Sequence, residues 1–208
     1  MSSKSNSKCR LCRREGEKLL LKGERCNSPK CAMVKRSFPP GMHGEKGGRQ
    51  TQYGRQLRAK QKVKRIYGLR ERQFRVYYED ASKRTGVTGD LVLQTLERRL
   101  DNVIYRLGFA VSRSQARQLV NHAAISVNNQ RVDIPSFQVK AGDVITVSKT
   151  KQNKKYFSNL AKKLSNKNLP EWLELDVKKM TGKILAQPTK SDVDLSADMQ
   201  LIVELYSR

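Results

Sequence analysis

Acidic residues are scarce in this chain, and so are aromatics and long apolar runs. Asp and Glu number 19 against 43 Lys and Arg in 208 residues, a formal net charge of +24. Such an excess repels itself in a compact chain and implies a polyanionic partner. No apolar run approaches the roughly 20 residues that span a bilayer, and the N-terminal Met1-Ser2-Ser3-Lys4-Ser5-Asn6-Ser7-Lys8 has no apolar signal core. The expectation is a cytosolic protein, with nucleic acid rather than a membrane as its anion. Nucleotide-binding glycine loops and paired carboxylates in a plausible pocket are missing too. The acids fall in caps, turns and solvated faces, so no enzyme activity is expected.

Cysteine is confined to Cys9, Cys12, Cys26 and Cys31, a C-x2-C pair and a C-x4-C pair separated by thirteen residues. In a reducing compartment this spacing favours a metal over disulfides. Four thiolates can converge on a tetrahedral Zn2+, with Asn27-Ser28-Pro29-Lys30 turning inside the second pair. The same four ligands could instead hold an iron–sulfur cluster. Short basic segments without a core commonly need such a metal to fold.

What is abundant is positive charge, unevenly spread. Residues 1–75 hold 22 Lys/Arg and 5 Asp/Glu, whereas residues 76–208 hold 21 and 14. After a Pro- and Gly-rich loop at residues 38–49, in which His43 reads as solvated, a basic helix is expected from Thr51 through Ile66 to Gly68. A second is expected over Glu71 to Lys83, its Phe74, Tyr77, Tyr78 and Ala81 at core spacing rather than as base-stacking platforms. Leu93, Leu96, Leu100, Val103, Ile104 and Leu107 give the strongest core period, with Asp101 as a cap where it breaks.

Ser112 and Gln115 then form a Ser-x-x-Gln capping box on a helix whose Ala116, Leu119, Val120 and Ala123 make one apolar stripe. Its other faces carry Arg113, Ser114, Arg117, Gln118, Asn121 and His122, with no acid among them, which suits a phosphate backbone. Ile125 and Val127 begin a strand, and Asn128-Asn129 supply a primed turn into Gln130-Arg131-Val132. Gly142-Asp143 turns into Val144–Val147, and Pro135 marks an edge or loop. A lysine-rich connector over 149–155 leads to a helix from Tyr156 to Leu164, paired strands at Trp172–Asp176 and Thr181–Leu185, and a last helix over Ala197–Tyr206. The fold class is α+β, in four segments: a metal-knuckle segment and loop at 1–45, a basic helical domain at 46–97, a sheet-bearing module at 98–150, and a C-terminal helix, hairpin and helix at 151–208.

Two stretches carry a family resemblance. Leu100-Asp101-Asn102-Val103-Ile104-Tyr105-Arg106-Leu107-Gly108, with Ala116–His122 and Val127-Asn128, resembles the RNA-binding module named after small-subunit ribosomal protein four. Gln61–Gly68 with Glu71-Arg72-Gln73-Phe74, Arg13-Arg14-Glu15-Gly16 and the closing Leu201–Arg208 resemble the bacterial ribosomal protein itself. The resemblance implies two helices against a small bent antiparallel sheet within a mainly helical protein. It implies a primary small-subunit rRNA binder that nucleates assembly of the subunit body and contributes to translational accuracy. Ribosomal proteins five and twelve are implied neighbours, with mRNA near the entry channel facing Lys46 and Arg49. Asn129 stands where the family commonly has Gly, and Ala123-Ala124 where many members carry one. The cysteine set occurs in only some members.

The expected RNA contacts are therefore Arg113, Ser114, Arg117, Gln118, Asn121 and His122 in the module. A second surface is expected from Tyr53, Arg55, Arg58, Lys62, Lys64, Arg65 and Arg72. Binding would rest on charge neutralisation and RNA shape more than base readout. The rival reading is an RNA-modifying enzyme or synthetase carrying the same module, but those need a catalytic domain for which this chain has no signal. A free-standing RNA chaperone is a third reading, against which the N-terminal match counts.

Overall fold

The computed structural model describes residues 7–46, 49–152, 156–157, 160, 164, 169–177, 179–193 and 197–207. These form two units, residues 1–89 with 195–208, and residues 90–194.

Three short helices open the first unit: α1 (Lys8–Glu15), α2 (Glu24–Asn27) and α3 (Ala32–Lys35). The long basic helix α4 (Gln52–Ile66) starts where the Thr51 hydroxyl accepts the Gly54 N–H at 3.1 Å. It buries only Gln56, Ala59 and Val63, which is why its apolar stripe looks thin in sequence. Helix α5 (Glu71–Ser82) buries Phe74, Tyr77 and Ala81, so its aromatics are core, as their spacing implies. The expected C-terminal helix is present as α10 (Met199–Tyr206), capped by Asp198. It packs on α4, and the Tyr206 ring stacks on Tyr78 at 4.4 Å and on Phe74 at 6.3 Å. Gln56 donates to Glu204 across that contact at 2.9 Å.

The second unit joins helices to one sheet. Helix α6 (Thr88–Glu97) leads to α7 (Leu100–Leu107), which Gly108 ends in the left-handed region at φ 90°. The break lies at Arg98-Arg99, and Arg99 is the N-cap; Asp101 sits inside the first turn and caps nothing. Its carboxylate instead receives the buried Arg99 guanidinium at 2.7 and 3.0 Å. The loop containing Pro135 closes on this break, because the Leu100 and Asp101 N–H groups donate to the Phe137 and Pro135 carbonyls.

Helix α8 (Arg113–Asn121) follows, and Ser112 accepts the Gln115 N–H at 3.3 Å. The return half of the capping box differs from expectation. Gln115 Oε1 reaches past Ser112 and accepts the Val111 N–H at 2.9 Å. Strands β1 (Ile125–Val127) and β2 (Gln130–Arg131) turn through Asn128 and Asn129 at φ 50° and 65°, the positive pair that a primed turn requires. Strand β3 (Val144–Val147) pairs with β1, and the short helix α9 (Lys149–Gln152) begins the lysine-rich connector. Most of the helix expected over 156–164 lies outside the described residues, as do Lys154, Lys155, Gly47, Gly48 and Arg208.

Strands β4 (Leu173–Asp176) and β5 (Thr181–Ile184) form the expected hairpin, and β5 also pairs with β3. One antiparallel sheet results, in the order β2-β1-β3-β5-β4, crossing the segment boundary read at residue 150. Its inner face presents Ile125, Val127, Ile145, Val147, Leu173 and Ile184 to Val103, Ile104, Leu107 and Val120, all buried in one core. Gly182 permits a close approach of sheet to helix, since a Cβ there would run into the Leu107 methyls. The architecture is α+β: a helical N-terminal region and a helix-on-sheet module.

Candidate nucleic-acid interface

Helix α8 is positioned by charge as well as by its apolar stripe. Arg113 donates through Nε to Asn102 Oδ1 at 2.8 Å and lies over the Tyr105 ring at 4.6 Å. Asn102 in turn donates to Glu97 at 2.8 Å, and Arg106 grips the same carboxylate with two bonds of 3.0 Å. Glu97 is fully buried. Arg117 approaches Asp101 at 3.8 Å while its own side chain remains 46% exposed. Two buried acids on the preceding helices thus aim the two α8 arginines. An arginine oriented before binding loses less freedom on meeting a phosphate, and its planar fork suits that ligand. Ser114, Gln118 and Asn121 are exposed on the same helix, as is His122 at its C-cap.

Spacing in the sequence points to Arg113 and Arg117 but misses Glu97, Asn102 and Arg106. The available signal is an acid and two basic or amide residues at helical spacing across a break, which is weak without knowing where the break falls. Arg131 on β2 is also exposed.

The first unit treats its charge differently. Arg58 and Arg65 both bind Glu15, whose side chain is 2% exposed. Lys62 pairs with Glu17, while Lys60 and Lys64 reach Glu71 at 2.5 and 2.7 Å. Burial opposes ionisation of Glu71, but the two ammoniums outweigh it and hold the carboxyl at about 2. Burial raises the Glu15 carboxyl, with Arg65 and Arg58 pulling the other way. The structure therefore joins Arg58, Lys62, Lys64 and Arg65 to acids of α1, its following turn and α5. Arg55, Arg72, Tyr53, Lys46 and Arg49 are exposed instead, as is His43.

The four cysteines share the small lobe ahead of α4. Cys9 and Cys12 lie on α1, Cys26 lies on α2, and Cys31 caps α3. Cys12, Cys26 and Cys31 are buried and all four thiols are unbridged. Burial pushes the Cys12 thiol up, a backbone bond from Leu19 lowers it, and the other three cysteines raise it further. Lys22 N–H donates to Cys26 Sγ at 3.3 Å. The donor set and its amide bonds fit a thiophilic metal. Among the described residues, however, no three His, Cys, Asp or Glu side chains gather into a group able to hold an ion.

No helix among the described residues is long and apolar enough to cross a membrane. Residues 4–97 match the ribosomal protein S4/S9 N-terminal domain, and residues 98–145 match the S4 domain. Among curated relatives, the small ribosomal subunit protein uS4 of Caldicellulosiruptor bescii is 52% identical over 208 residues, covering all of both chains. That of Thermus thermophilus is 54% identical over 201 residues, 96% of each chain. Syntrophomonas wolfei has one 51% identical over 210 residues, again covering both chains fully. With both domain matches side by side and identity above half along the whole chain, this protein belongs to the uS4 family of ribosomal proteins.

Proposed function

We propose that this chain is a structural, non-catalytic constituent of the small ribosomal subunit, working in the cytoplasm as a primary rRNA binder that nucleates the subunit body. The observation that carries it is α8, a helix with an acid-free outer surface whose arginines are held in place by buried Glu97 and Asp101. Such a surface neutralises phosphates in a fixed geometry, which suits recognition of RNA by shape. Exposed Arg55, Arg72 and Tyr53 supply the second contact, with Lys46 and Arg49 toward mRNA near the entry channel. Ribosomal proteins five and twelve are the neighbours, and their contacts would transmit an effect on translational accuracy.

Zn2+ on Cys9, Cys12, Cys26 and Cys31 would close the N-terminal lobe, with an iron–sulfur cluster as the alternative. The metal's work is structural: it would fix α1, and with it Glu15 and Glu17, against α4. Sedimentation tests the main reading. Stoichiometric recovery with small subunits through a high-salt wash supports it, and recovery only in the free pool refutes it. Metal analysis of purified protein separates one zinc per chain from iron, and finding neither removes the metal.

A further inference from the structure

Beside Arg117, α8 has a second working side that charge does not explain. Gln118, Leu119 and His122 line a cavity of about 240 Å³ together with Lys151, Tyr156 and Phe157. Phe157 is buried and stands edge-on to Tyr156, with ring centres 5.1 Å apart. The Tyr156 hydroxyl donates to the Phe109 carbonyl at 2.8 Å, which fixes the ring and leaves its body as wall. Gln115, at the same border, already accepts from Val111. Gln118 and His122 are exposed at the mouth.

A pocket for phosphate alone would be ringed by cations. Among the described residues, this one has aromatic and aliphatic walls, one ammonium, one imidazole and two amides, of which Gln118 can both donate and accept. Those are the needs of a nucleobase, with flat faces to stack and a polar edge to bond. The volume is below the ~300–1,000 Å³ of common small-molecule sites, which suits one planar ring system. The arginines occupy the neighbouring side of the same helix, and a helix is only ~10 Å across, about the reach of one nucleotide from phosphate to base.

We propose that this cavity receives a single unstacked RNA base, its edge read by Gln118 and its face against Tyr156, while the adjoining phosphates lie on Arg113 and Arg117. The proposal rests on the rRNA-binding reading and adds a base contact to it.

Filter binding of the full chain to small-subunit rRNA, run as a salt series, tests both. Gln118→Ala should weaken binding about tenfold with the salt slope unchanged, because no charge is removed. Chemical probing at saturating protein should show one base protected by the wild type and by Arg117→Gln, but exposed with Gln118→Ala. Wild-type affinity for Gln118→Ala, or a loss that appears only as a shallower slope, overturns the base site alone. A wild-type chain that does not bind this RNA overturns both readings. Gln118 is exposed, so an unchanged melting temperature separates lost contact from lost fold.

Discussion

Helices α4 and α8 are both basic and both belong to the RNA-binding reading, yet they hold their charge in opposite ways. On α4 the cations after exposed Arg55 turn toward acids of the same unit. Arg58, Lys62, Lys64 and Arg65 keep only 13–26% side-chain exposure and meet Glu15, Glu17 and Glu71. On α8 the acids lie behind the helix, so Arg117 is steered yet stays 46% exposed. Density of positive charge along a sequence therefore does not locate an interface. The position of the few acids does, because each decides whether a cation faces inward or outward.

The sharpest way to strain this contrast is to remove a buried acid. Glu97→Ala leaves Arg106 without its carboxylate and releases Asn102 and Arg113; it should cost about 3–5 kcal/mol, read as a lowered denaturant midpoint. Glu15→Ala should cost less, about 2 kcal/mol, because Arg58 and Arg65 can swing toward water. The freed cations should then strengthen rRNA binding and steepen its salt dependence. If stability falls equally in the two variants, the contrast between the helices collapses.

Charge removal gives the next test. Arg117→Gln should lower the salt slope of rRNA binding by about one unit, whereas Arg58→Gln should change stability more than slope. Equal slopes for the two variants would mean that both helices face the RNA alike. The smallest effect concerns pH. With a folded value of about 2 against an ordinary carboxyl near 4.5, Glu71 stabilises the fold fully above 4.5 and loses that contribution as pH falls toward 2. Glu71→Gln should flatten this part of the acid unfolding curve. Because Glu71 is half exposed, the change should be small and should shrink further with salt.

Local chemistry was readable in the residues. Ser112 caps its helix as a hydroxyl does, and Asn128-Asn129 turn as a pair tolerant of positive φ. Phe74, Tyr77 and Ala81 bury as their period implies. The misreadings arose where partners are distant or compete. Asp101 looks like a cap by position, but a buried arginine two residues earlier outcompetes the local amides. Nothing near Thr181–Ile184 announces that it will pair with β3, since Val144–Val147 lies more than thirty residues away. For the same reason, the inward turn of α4 could not be foreseen from α4. Its acids lie on other elements, up to fifty residues distant. The cavity beside α8 is half visible in the sequence: the acid-free face of the helix carries Gln118 and His122, whereas Tyr156 and Phe157 enter it only through the fold.

The packing of α10 on α4 has a consequence for birth order. A chain emerges from synthesis N-terminus first, and α4 is complete well over a hundred residues before α10 exists. Residues 90–194, whose contacts are largely among themselves, are all available in that interval. Throughout it, the α4 face whose Gln56 and Lys60 will meet Glu204 and Tyr206 has no cover from that helix. The module can thus be finished while the older unit still waits for its closing helix.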